Sequence, residues 1–194
     1  MNKSFKTRLY YDWVLYLLVA AAAILIWYFA FGLFNAPAPT ETIRVFFAGK
    51  VVDRSFEDLA LSKMSDNGVK LVEIDSCLVD DAAFSAKYAA VGLNGCDVVI
   101  ALESVIDKTE CEGTFAELNG FENVYLRDGK AYGVFLEKSA ITALSAYFSF
   151  GDSNYVALIA ASSVNGGDGA LTDNAVVFLR WIADNGKVQT HTEN

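Results

Sequence analysis

The sequence predicts an α/β fold, a mainly parallel sheet flanked by helices, preceded by one N-terminal transmembrane helix. Three observations predict it. An apolar run without a single charge extends from Trp13 to Phe34. Beyond it, short continuous apolar stretches recur, as strands covered on both faces require. Between those stretches lie segments of helical spacing joined by links of a few residues, the order that right-handed crossovers produce.

The N-terminal run comes first. A helix over residues 13–34 would be about 33 Å long, enough for a hydrocarbon core of about 30 Å. Aromatic residues gather at both ends, Tyr10, Tyr11 and Trp13 before it and Trp27, Tyr28, Phe29, Phe31 and Phe34 near its close, as an interfacial belt places them. Lys3, Lys6 and Arg8 precede the run and the first charge after it is Glu41. Residues 1–12 are therefore expected in the cytoplasm and the C-terminal part outside, in a single-pass protein of the cell membrane. Ala36-Pro37-Ala38 imitates a signal-peptidase site, but Pro39 would follow the cut directly, where an extended backbone with a free N–H is needed. Residues 35–41 read as a linker.

The α/β elements follow in order. "TIRVFFAG" (42–49) is a buried strand closed by glycine. Phe56, Leu59, Ala60 and Met64 mark a helix that Asn67-Gly68 stops. Residues 69–76 form a second strand, 80–95 a second helix opened by Asp80 and Asp81, and 96–104 a third strand. A short acidic helix is expected around 114–119. "NVYLRDGKAYGVFL" reads as a hairpin about Asp128-Gly129. A helix over 139–148, a strand over 154–163 and a last helix with the stripe Leu171, Ala175, Phe178, Leu179 and Ile182 end the domain at 186. Residues 187–194 read as a flexible tail. The most continuously apolar strand, 43–48, is expected between those at 69–74 and 97–102.

Composition narrows the chemistry. The chain has 15 basic and 24 acidic residues; with Lys3, Lys6, Arg8 and Asp12 set aside, the outer part carries −11. That charge argues against nucleic acid and against adhesion to anionic lipid. The only histidine is His191 in the tail, so no nucleophile has an imidazole base in the body of the chain. Cys77, Cys96 and Cys111 match no zinc spacing. No cofactor and no metal are indicated. "NGGDG" (165–169) lacks the lysine of a phosphate loop and the dinucleotide spacing.

The order of elements resembles one lobe of the type II periplasmic, or extracellular, solute-binding proteins of bacterial ABC transporters. "KLVEIDSCLVDDAAFSAKYAAVGLNGCDVVIALE", "YLRDGKAYGVFLE" and "YVALIAASSVNGGDGALTDNAVVFLRWIADNG" carry the likeness, over roughly residues 42–186. Phe135-Leu136-Glu137 stand where the family has a proline after its hairpin. The stretch from Glu137 to Ser153 stands where the family inserts a whole second lobe. The resemblance implies a solute-binding-like domain beside a transport complex, without the second shell that encloses a solute.

In an open α/β sheet, ligands sit outside the carboxyl ends of strands. That rule nominates Gly49 and Lys50, Asp75 and Ser76, and Glu103 and Ser104. It adds Ser162 and Ser163 after the last strand, ahead of a helix N-terminus. The turn-forming role of Asp75 and Ser76 is the plainer alternative. The functional expectation is a membrane-anchored extracytoplasmic binding domain that recognises a small solute or a protein partner, with no catalytic residue. The alternatives are a cell-surface hydrolase using Asp75 and Glu103, and a structural ectodomain of a membrane complex. In the expected fold Cys77 and Cys111 share the carboxyl edge while Cys96 enters from the other, a strand length away. A Cys77–Cys111 disulfide with Cys96 reduced follows.

Overall fold

The structure is a computed structural model and describes residues 3–184. The expected tail at 187–194, with His191, lies outside the described residues. Two compact units divide between Ala36 and Pro37.

The first unit is α1 (Lys3–Asn35), one helix of 33 residues, about 50 Å long at 1.5 Å per residue. Its side chains are described at Trp13 and over residues 15–31. Leu15, Leu17, Leu18 and Val19 are exposed together, as are Ile24, Leu25 and Ile26. Consecutive residues step by about 100°, so these cover every side of the helix and leave no polar face. Among the described residues, no helix is long and apolar enough to cross a membrane.

The second unit opens with a 3₁₀ turn, Pro39–Glu41, inside the stretch expected as linker. β1 (Thr42–Phe47), β2 (Lys50–Val51), α2 (Ser55–Met64) and β3 (Leu71–Ser76) follow. Then come α3 (Phe84–Lys87), widening into a π turn over Tyr88–Leu93, and β4 (Val98–Leu102). α4 (Glu103–Ile106), β5 (Val124–Arg127), β6 (Lys130–Phe135) and α5 (Lys138–Leu144) lead to β7 (Phe148–Ser149). β8 (Tyr155–Ile159) and α6 (Asn174–Asp184) close it.

Six strands form one sheet in the order β3-β1-β4-β8-β6-β5. β1 lies between β3 and β4, parallel to both, as its continuous apolar run led us to expect. The rest corrects the expectation of a mainly parallel sheet: β4–β8, β6–β8 and β5–β6 all pair antiparallel. The reason lies in the connections. A parallel return needs a crossover that climbs the whole sheet. α5 spans only about 10 Å, and β7 is held at the carboxyl edge by pairing with β2. The chain leaving β6 therefore re-enters at the same edge and runs back as β8.

Alternation along the strands makes two cores. Ile43, Val45, Phe47, Val98, Ile100 and Ala157 face α2 and α6, which contribute Phe56, Ala60, Phe178 and Ile182. Phe46, Val99, Ala101 and Leu158 face Phe84, Tyr88, Ile106 and Phe115. Two local expectations are corrected here. The segment expected as an acidic helix at 114–119 is extended, because Phe115 bridges to Ala160 and Ala116 N–H donates to Ile159 O. Leu171 precedes α6 and is 76% exposed, so it leaves the apolar stripe.

Candidate functional site

The carboxyl edge of β1, β3 and β4 gathers six of the nominated residues but does not turn them on one another. Gly49 is buried, and a Cβ there would meet the Phe47 ring 2.5 Å away. Lys50 is exposed and pairs with Ser149 in the small β2–β7 sheet. Asp75 makes an ion pair with Lys87 (3.3 Å), whose Nζ also donates to Ser76 O (2.9 Å). Glu103 opens α4 and accepts from Asn154 Nδ2 (2.9 Å); Ser104 is exposed beside it. The crevice itself is filled by rings. Phe47 lies against Phe148 (4.8 Å), Phe150 (5.3 Å) and Tyr155 (5.9 Å).

Register separates the two carboxylates that a hydrolase would use. Phe46 is level with both Asp75 and Val99, so Glu103 lies four residues further along and two strands across. That is roughly 13 Å along the strands and 10 Å sideways. Paired glycosidase carboxyls stand about 5–9.5 Å apart. Asp75 and Glu103 are not brought together as such a pair.

Ser162 and Ser163 lie at the opposite edge from the other six. Because β8 runs antiparallel, its carboxyl end meets the amino ends of β1 and β4, which corrects their assignment to the strand-end site. Ser162 is exposed there. Ser163 belongs to a buried polar network with Asp97 and Asn165, and the buried side chains of Thr42 and Asn174 bond the nearby turn. Asp97 accepts from Ser163 Oγ, from Asn165 Nδ2 (3.1 Å) and from Arg44 N–H (2.9 Å). Asn165 Nδ2 also donates to Pro39 O (3.0 Å) and Thr42 O (2.8 Å), and its Oδ1 accepts from Thr172 Oγ1 (2.9 Å). Asn174 Nδ2 donates to Thr40 O (3.1 Å). The turn at 39–41 is thus bonded to the loop after β8 and to α6. Lys70 Nζ lies 2.8 Å from Glu41 Oε1 and holds that carboxyl below its ordinary range.

This network binds a chain segment. Ser163 Oγ donates to the Asp97 carboxylate, which also accepts from Asn165 Nδ2 and Arg44 N–H. A cavity of about 170 Å³ opens beside it, lined by Arg44, Cys96, Asp97 and Ser162. Cys96 is no nucleophile, since burial first, then the Asp75 and Asp97 charges, push its thiol up to about 12.

All three cysteines are free thiols. Cys111 Sγ is turned to Thr109 O (3.8 Å), so the expected Cys77–Cys111 bond is not formed in this structure. Burial also raises the Cys111 thiol. A second cavity, about 300 Å³, lies between residues 120–123 and the end of α6, where Arg180 stands 5.3 Å over the Phe121 ring. Among the described residues no group of three or more His, Cys, Asp or Glu is placed to hold a metal ion.

The sequence reading missed Asp97, Asn165 and Asn174. One signal was present: Asp97 is a charge directly ahead of the apolar run Val98–Leu102, where an unpartnered carboxylate would be expensive. No family model, no curated protein and no solved structure matches this chain.

Proposed function

We propose that this chain is a bitopic membrane protein whose α/β unit serves outside the cytoplasm as a non-catalytic binding module. It recognises a small solute or a protein partner beside a membrane transport complex. The observation that carries the reading is α1, a 33-residue helix with apolar side chains exposed on every side, ending just before a folded unit. Such a surface has no place in water, and in the sequence it is uncharged from Trp13 to Phe34. The basic residues ahead of it give the orientation, N-terminus inside.

The order β1-α2-β3-α3-β4 with its parallel pairing supports the likeness to a solute-binding lobe. Binding is favoured over turnover because Asp75 and Glu103 stand apart. Co-purification in mild detergent tests the reading, together with a thermal-shift screen against sugars, amino acids, amines and peptides. A stoichiometric partner or a ligand-specific shift is expected. A chain that emerges alone and shifts with nothing would sink it.

A further inference from the structure

At an Asn-Gly step the backbone can react with its own side chain, because glycine has no Cβ to shield its amide nitrogen and turns freely. The chain has five such steps: Asn67-Gly68, Asn94-Gly95, Asn119-Gly120, Asn165-Gly166 and Asn185-Gly186. The last lies outside the described residues, and the fold treats the other four differently. Asn165 is fully buried with both ends of its amide bonded, and Gly166 is wedged against Ala175 and Val176. Asn94 Nδ2 donates to Ala89 O at 2.6 Å. Asn67 is exposed, but the Gly68 N–H donates to Ser65 O (3.0 Å), which occupies the reacting nitrogen.

At Asn119-Gly120 neither group is held. Both residues are exposed, and Gly120 stands at φ 74°. Among the described residues, no hydrogen bond engages the Asn119 amide or the Gly120 N–H. The neighbours on each side are fixed: Leu118 N–H donates to Ala131 O (2.7 Å), and the Phe121 ring lies under Arg180. The step is a loose crest between two anchors.

We propose that Asn119 is a site of spontaneous deamidation, the first of the four described steps to react. The Gly120 nitrogen gives up its proton and attacks Asn119 Cγ. The Cγ–Nδ2 bond breaks, ammonia leaves with a proton, and a succinimide ring closes. Water then opens the ring. Addition at Cγ gives aspartate with the backbone restored; addition at the main-chain carbonyl carbon gives isoaspartate, whose backbone runs through Cβ and Cγ. Water is the only co-reactant, and nothing is oxidised or reduced. Either product carries a negative charge where asparagine has none. Gly120 and Arg180 line the same cavity of about 300 Å³, so the charge arises next to its wall, and isoaspartate also lengthens the backbone there. A step held by hydrogen bonds reacts only in the fraction of molecules in which they have opened, so the bonded and buried steps lag.

The test incubates the full chain in detergent at mildly alkaline pH, with peptide mapping by mass spectrometry and electron-transfer fragmentation to separate aspartate from isoaspartate. Asn119 is expected to convert at least about tenfold faster than Asn94 and Asn165, with Asn67 between them. In urea, where the fold no longer holds any step, the four rates should draw together. A folded protein in which Asn119 converts no faster than Asn165 overturns the proposal. A lead for Asn119 that persists undiminished in urea overturns the assignment of that lead to the fold. Product at residue 119 that contains aspartate and no isoaspartate overturns the succinimide route.

Discussion

Asn165→Ala tests the polar network at the amino edge. Asn165 is fully buried, and its amide meets four partners from three other parts of the chain. Truncation leaves Pro39 O and Thr172 Oγ1 near solvent, where water can replace the lost bond. Thr42 O and Asp97 Oδ1 lie deeper and lose a donor outright. A buried polar group left without its partner costs about 1–3 kcal/mol, so the substitution should destabilise by roughly 2–5 kcal/mol. At about 2–4 °C per kcal/mol for a unit of this size, the melting temperature should fall by roughly 4–20 °C. Urea unfolding of a chain beginning at Pro37 measures it, with Trp181, which packs on Phe56 at 5.6 Å, as the fluorescent reporter. Asn174→Ala removes one half-buried bond and should cost about 0.5–1.5 kcal/mol. Ser62→Ala, on an exposed helix surface, should fall within about 0.5 kcal/mol of zero. An Asn165→Ala loss no larger than that of Ser62→Ala would refute the reasoning.

Further outcomes follow from the same structure. Gly167→Ala should destabilise by about 1–3 kcal/mol in the same urea assay, because a Cβ there would press on the carbonyls of Ala160, Ala161 and Ser163. The raised Cys96 thiol makes stability fall with pH: its ordinary value is 9.0 and its folded value about 12. Below pH 9 the thiol is protonated in both states; above it the unfolded chain holds fewer protons, so stability drops between pH 9 and 12 at up to about 1.4 kcal/mol per unit. Cys96→Ala should flatten that decline, as unfolding curves at stepped pH will report. A thiol reagent at neutral pH should modify half-buried Cys77 first and reach buried Cys96 and Cys111 only on unfolding. Asp75→Asn should change stability by less than about 1 kcal/mol, since its ion pair with Lys87 is solvent-exposed.

Much of the fold was legible because each signal was local. β1 reads as central because its run is apolar apart from Thr42 and Arg44, and the structure buries all but Arg44. The hairpin was legible because Asp128 and Gly129 adopt positive φ (51° and 80°), the backbone that Asp-Gly admits most readily. The direction of β8 was not legible. "YVALI" packs equally well parallel or antiparallel between two strands, and direction is set by what the preceding connection does. That single reversal moved Ser162 and Ser163 across the sheet. The polar network escaped for a related reason. Asn165 and Asn174 each look like an ordinary loop or helix-start residue, and Ser163 meets Asp97 across 66 residues of sequence. The segment at 114–119 was too short for periodicity to separate helix from strand. The ring cluster at the carboxyl edge was not legible, because the contact of Phe150 with Phe47 depends on how the chain between β7 and β8 folds back.

The central claim is that the folded unit remains tied to a membrane through α1, and intact mass of the protein extracted from membranes tests it most directly. The account predicts one species that retains the sequence through Phe34, found in the membrane fraction and resistant to alkaline extraction. A chain beginning near Pro39 or Thr40, recovered in the soluble fraction, would contradict it.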